Sequence, residues 1–229
     1  IDVNVAGAAN TVTLDNAGLV LTVKSGNSLT VAASLTVTTG TLNTEAAFPA
    51  VTGTTTLTAG TVGYTASSGS QTVPVKNYVN LVISGGGSKT LAGTITPSGD
   101  LSVNGGTFDL GSFTANRSSA GGTLTVANGA TLKIGGTGTL PANYSAHSIG
   151  ATSTVEYAGT TTTVAALNSS QNYGNLTISG SGVTTANSFG VATALTVGSG
   201  GSLIASAGTV TLNNGASIAN AGTLTFSSL

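Results

Sequence analysis

The chain reads as a succession of short segments in which apolar and polar residues alternate, separated by small polar turns. Leu21-Thr22-Val23-Lys24, Leu35-Thr36-Val37, Leu101-Ser102-Val103, Leu132-Lys133-Ile134 and Leu195-Thr196-Val197 are the clearest of them. Alternation at period two places Leu, Val and Ile on one face of a strand and Thr, Ser or Lys on the other. Thr and Val are themselves strong strand formers. The clusters between, such as Ser25-Gly26-Asn27, Asn104-Gly105-Gly106, Asn128-Gly129 and Gly198-Ser199-Gly200-Gly201, supply the positive φ that sharp turns require. No window of helical length carries a sustained apolar stripe at i, i+3, i+4 and i+7, so an all-β chain is predicted.

Spacing narrows the architecture. Inward candidates advance by six to eight residues: Leu14, Leu21, Leu29, Leu35 and Leu42; Leu124, Leu132 and Leu140; Leu195, Leu203, Val210, Ile218 and Leu224. A short strand plus a short turn fits that step, and three such sides close a coil of ~20–25 residues, within the range of solenoid repeats. About nine to eleven coils follow, giving a rod roughly 45–55 Å long at ~4.8 Å per stacked strand. Hairpin meanders share the step length, which leaves tandem antiparallel β-sandwich domains as the alternative.

A longer repeat bears on that choice. Thr61-Val62-Gly63-Tyr64 returns as Thr154-Val155-Glu156-Tyr157, 93 residues on. Tyr78-Val79-Asn80-Leu81-Val82-Ile83-Ser84-Gly85 returns as Tyr173-Gly174-Asn175-Leu176-Thr177-Ile178-Ser179-Gly180 at an offset of 95, and Leu101-Ser102-Val103 as Leu195-Thr196-Val197 at 94. Either a sandwich domain is duplicated or a solenoid carries a supra-repeat of about four coils. The apolar cadence also runs through residues 11–42 and on to the C-terminus, with no Pro-rich or charged linker. That continuity favours a single solenoid over residues 1–229, with copies at about 60–152 and 153–229.

Tyr173-Gly174-Asn175-Leu176-Thr177-Ile178-Ser179-Gly180-Ser181-Gly182 resembles a unit of large repetitive bacterial surface and secreted proteins. These are autotransporter-like or filamentous-haemagglutinin-like adhesins and related extracellular filament proteins. Leu101-Ser102-Val103-Asn104-Gly105-Gly106-Thr107-Phe108-Asp109-Leu110-Gly111 is similar to the unit that follows it there. The likeness spans residues 60–229 well and 1–59 loosely. It implies a right-handed parallel β-helix and a role at the cell surface.

Composition adds a second constraint. Only 5% of residues are charged, 39% are apolar and the formal net charge is −1, whereas disordered chains combine low hydrophobicity with high net charge. The chain is therefore expected to fold, under a surface of Thr, Ser, Asn and Gly. Near-zero net charge removes the repulsion that keeps proteins apart and suits a fibre, sheath or array. Lys24, Lys76, Lys89, Arg117 and Lys133 are scattered, where nucleic-acid binding needs clustered bases. No apolar run reaches the ~18–20 residues of a membrane span. The chain starts at Ile1 and no signal peptide is visible, which reads as removal of an upstream segment or excision from a longer chain. Together with the Thr/Ser/Gly/Asn bias, this points to an extracellular or cell-surface location.

Candidate chemistry is sparse. Cysteine is absent and His147 is the sole histidine, so no thiolate or His/Cys zinc site is expected, and His147 reads as a surface-loop residue. Asp100 and Asp109 are nine residues apart and could occupy successive sides of one coil. Paired carboxylates hydrolyse glycosides, yet no tryptophan platform accompanies them, and the two read as strand-entry and solvent-facing residues. The Asp-rich nonapeptide calcium repeat is missing, and no cofactor is called for. Thr54-Thr55-Thr56 and Thr160-Thr161-Thr162-Thr163 raise an ice- or glycan-binding array, but the Thr-x-Thr pairs recur irregularly along the sequence. Asn116, Asn143, Asn168 and Asn175 each begin an Asn-x-Ser/Thr glycosylation pattern, which chance largely explains in so Asn/Ser/Thr-rich a chain.

The expectation is a non-enzymatic structural subunit of an extracellular filament, sheath or surface layer, self-associating through strand pairing and apolar stacking. Ile1, Val3 and Val5 at one end and Leu224, Phe226 and Leu229 at the other are the candidate assembly residues. The partners are then other copies of the chain, and surface glycans for the alternative, an adhesin stalk. A carbohydrate-active β-helix enzyme is the third reading.

Overall fold

A computed structural model describes residues 1–168, 171–185 and 187–226. These residues form a parallel β-solenoid of about eleven turns, with no α-helix. Every strand pairing among them is parallel, as in β10 (Asn80–Ile83) on β12 (Leu101–Val103) and β15 (Thr131–Ile134) on β17 (Thr154–Tyr157). Antiparallel sandwiches, the alternative reading, are excluded by that pairing. Coil length, read from stacked partners, runs from 18 residues between Gln71 and Lys89 to 24 between Phe108 and Leu132.

The first side of the coil is a ladder of eight strands. It runs from β1 (Asp2–Val3) through β3 (Val20–Val23), β5 (Thr41–Thr44), β8 (Thr61–Tyr64), β10, β12 and β14 (Gly121–Val126) to β16 (Tyr144–Ile149). The second side starts at β9 (Ser70–Val73) and climbs through β11 (Ser88–Leu91), β13 (Thr107–Asp109), β15, β17 and β19 (Asn172–Ile178) to β21 (Phe189–Val197). β21 bends across a corner, so that both β23 (Val210–Leu212) and β24 (Ser217–Asn220) stack on it. In the lowest coils β4 (Leu29–Val37) bends likewise, between β2 (Gly7–Leu14) below and β6 (Ala50–Val51) and β7 (Thr54–Leu57) above. The third side becomes regular again near the top, as β18 (Thr163–Val164), β20 (Val183–Thr185), β22 (Ser202–Ala205) and β25 (Thr223–Phe226).

Between those regions the third side is irregular for a chemical reason. Pro74, Pro97 and Pro141 all fall on it, and a proline contributes no N–H to a ladder. Isolated bonds bridge the coils instead, such as Ile95 N–H to Thr114 O at 2.9 Å and Ser118 N–H to Pro97 O at 2.8 Å. At the corner between the first and second sides the turns bring backbones into contact: Gly87 has φ +66°, and a Cβ there would overlap the Gly69 carbonyl. Only glycine tolerates both conditions.

Inward residues stack in columns, for example Leu81–Leu101–Leu124 on the first side and Phe108–Leu132–Val155–Leu176–Leu195 on the second. Most are completely buried, and each contributes roughly 1.5–3 kcal/mol of transfer free energy. The 93–95-residue repeat does not close on a whole number of coils. Leu81 and Leu101 lie on the first side, while their counterparts Leu176 and Leu195 lie on the second. The period is therefore four coils plus one side, and the second copy is turned by one face relative to the first.

The repeat keeps a buried tyrosine pair in both copies. Tyr64 and Tyr78 hydroxyls lie 2.8 Å apart, Tyr157 and Tyr173 hydroxyls 3.2 Å apart. Tyr78 donates onward to Pro74 O, and Tyr173 to Ala165 O. Burial pushes all four phenols above their ordinary value.

Candidate functional site

Three places merit description as sites: the acidic residues, a groove on the flank of the rod, and the two end coils. Asp100 Oδ1 accepts the Thr123 N–H at 2.8 Å, and Asp109 Oδ1 accepts the Gly111 N–H at 2.8 Å. Asp109 also lies 3.8 Å from Lys133 Nζ, and Lys133 stacks in turn beneath Glu156, so the outer surface of the second side carries a column of alternating sign. Glu156 accepts the Ser179 hydroxyl at 2.5 Å. The carboxylates thus serve turns and outer ladders, and none lines the main cavities of the surface. Among the described residues no three His, Cys, Asp or Glu side chains gather as a metal site would require.

His147 is on β16, half-buried, rather than in a loop. It lines a groove of about 350 Å³ where the irregular third side meets the first. Asn168 N–H donates to His147 Nδ1 at 2.9 Å, and Asn168 Nδ2 donates to Tyr144 O at 2.8 Å. An acceptor Nδ1 fixes the neutral ring with its proton on Nε2. Burial lowers the pKa of the ring in the same direction. Leu140, Pro141 and Val164 are buried beneath the groove. Asn143 enters it with φ +69° and ties its own amide to Arg117 O at 2.9 Å.

The four asparagines of the glycosylation patterns share one structural role. Asn143, Asn168 and Asn175 each donate Nδ2 to a carbonyl of the preceding coil. Asn116 Oδ1 accepts the Ala142 N–H of the following coil at 2.9 Å. Side-chain amides here continue the ladder around corners where the backbone alone does not reach.

The first and last described coils expose apolar side chains. Ile1 is 82% exposed and Val5 71%, while Ile218 and Phe226 are 49% and 47% exposed. Val3 and Leu224 are partly buried against neighbouring core residues. Leu229 lies outside the described residues.

Two features were not anticipated. Thr-x-Thr pairs stack in register on the third side: Thr11 under Ser34 under Thr54, and Thr13 under Thr36 under Thr56. Only the register reveals this, because the coils differ in length. Lys89 is completely buried, donating Nζ to the Ala66 carbonyl at 2.8 Å and to the Gly86 carbonyl. Its place was legible, since Ser88-Lys89-Thr90-Leu91 alternates in phase with Leu91.

The fold defines the chain as a parallel β-solenoid. No protein-family model, curated protein or solved structure matches it significantly.

Proposed function

We propose that the chain is a structural element of an extracellular filament, sheath or surface layer, and that copies join head to tail through their open end coils. The carrying observation is the correspondence between the two ends. The stretch of β21 before its corner stacks on the start of β19, which in turn contacts β16 at the top of the first side. Along that face the bottom coil offers Val3 in the inward column beneath Val23, and the top coil offers Val210 and Leu212 above Phe189 and Val191. On the third side the bottom coil offers Val12 and Leu14, and the top offers Leu224 and Phe226. A second copy set on the top coil would continue both columns apolar on apolar. It would also pair backbone groups that an edge strand leaves free. Such a contact uses different surfaces on the two partners, so it propagates into a fibre instead of closing into a dimer.

Negligible net charge supports the same reading, because close lateral packing of rods meets little repulsion. The test is electron microscopy and sedimentation at micromolar concentration, on the chain and on Leu224→Lys. Fibres along the solenoid axis are expected from the chain, and monomers of unchanged circular dichroism from the variant. A monodisperse monomer from the unaltered chain would sink the proposal. The adhesin-stalk reading then gains, with the flank groove as the observation in its favour.

A further inference from the structure

The groove beside His147 is one of several recesses on the rod; another is lined by Thr55, Thr56 and Lys76. Beside His147, Pro141 lacks an N–H for the ladder, and the third side resumes only at β18, one coil higher. The result is a recess of about 350 Å³, at the lower end of the volumes that hold small ligands.

We infer that this recess is a binding site for a neutral saccharide, with one sugar ring resting on the Leu140–Val164 floor and its hydroxyls met by Asn143, Asn187 and His147. The lining contains no Lys, Arg, Asp or Glu. A phosphate or carboxylate ligand would find no cation, and a cationic ligand no carboxylate. Tyr144, the one aromatic phenol in the lining, is 3% exposed, so a flat aromatic ligand has no ring face to stack on. What remains is an apolar floor with amide, hydroxyl and imidazole groups at the rim. That pairing suits a ring with one aliphatic face and a hydroxylated edge.

Two left-handed residues border the same place. Asn143 and Thr161 are the two non-glycine residues with positive φ among those described, at +69° and +57°. Asn143 lines the recess and Thr161 stands two residues before Thr163, which also lines it. This site does not depend on head-to-tail assembly.

The experiment is a titration followed by amide NMR shifts. The probes are glucose, galactose, mannose and N-acetylglucosamine, free and as β-linked disaccharides, with glucuronate and N-acetylneuraminate as charged controls. At least one neutral sugar is expected to saturate, with shifts confined to Asn143, His147 and residues 163–168, and to bind about tenfold or more tightly than the charged sugars. Ala166→Trp, which fills the recess from its exposed rim, is expected to weaken binding about tenfold or more. Asn187→Ala, at an exposed position, should weaken it severalfold without altering distant amides. Retention on beads carrying the disaccharide would identify a surface glycan as the source; soluble shifts alone would identify a free sugar. The inference is overturned if no neutral sugar shifts these amides at about 100 mM, a concentration that reveals even very weak ligands. Shifts that persist unchanged in folded Ala166→Trp overturn it equally.

Discussion

The two copies of the repeat solve one corner of the coil in different ways. In the first, the inward column rises from Gln71 through Lys89 to Phe108; in the second it rises from Thr162 to Val183 and Leu203. Lys89 in the first copy directs its ammonium to the carbonyls of Ala66 and Gly86. The residue matching Gly86 in the second copy is Ser181, and its carbonyl accepts the Thr161 N–H at 3.0 Å. Thr161 reaches it with φ +57°. A buried cation and a left-handed threonine therefore do the same work, giving a donor to a corner carbonyl that the ladder misses. An orphaned buried carbonyl costs more than either device, and no buried side-chain polar atom is left unpaired among the described residues.

Exchanging the two solutions should produce the largest effect. Val183→Lys buries an ammonium where the matching carbonyl already has its donor, and should destabilise the chain by about 3–5 kcal/mol. Urea unfolding measures it, and an unchanged midpoint would show that the two corners are not alternatives. Lys89→Met keeps the length of the side chain, removes two hydrogen bonds and spares the desolvation of a charge. A net loss of about 1–2 kcal/mol follows. A more stable variant would show that the ammonium costs more than its two bonds return.

The lower tyrosines of the two pairs differ in the backbone bonds they accept. Tyr157 accepts the Ala165 N–H at 3.1 Å in addition to its contact with Tyr173, whereas the matching position in the first copy is Pro74, which has no N–H. Tyr157→Phe should therefore cost about 1–2 kcal/mol and Tyr64→Phe about 0.5–1 kcal/mol; equal losses would remove the distinction. Both pairs predict the same alkaline behaviour. Their folded pKa values are raised, chiefly by burial, so above about pH 10 the unfolded chain loses protons that the folded chain keeps. Stability is then full below that pH and falls above it. Tyrosinate absorbance should emerge together with unfolding, and a gradual rise in the folded protein would contradict the burial.

Period-two alternation and the six-to-eight-residue cadence were enough to read strands, coils and an axial apolar column, because inward Leu and Val recur locally. Registration between coils was not readable. Coil length ranges from 18 residues at Lys89 to 24 at Leu132, so neither the stacked threonines of the third side nor the one-face turn between copies shows in the linear spacing. The groove was illegible for the same reason. His147, Pro141 and Val164 come together only because β18 resumes a ladder one coil above the proline. Lys89 was legible by phase, and the corner carbonyls are what make its inward position tenable.

The smallest effect tests the strained half of the comparison. If Thr161 holds its left-handed conformation only to serve the Ser181 carbonyl, glycine at that position should keep the bond and shed the steric cost. That cost is about 1–2 kcal/mol for an L-residue, offset by roughly 0.5–1 kcal/mol of extra backbone entropy in the unfolded chain. Thr161→Gly should thus gain about 0.5 kcal/mol, read as a slightly higher urea midpoint at unchanged slope. The threonine side chain is exposed, so no packing loss should mask the gain. A clear loss of stability would mean that the Thr161 side chain, and not its backbone N–H alone, holds the second copy's corner, and the equivalence with Lys89 would fail.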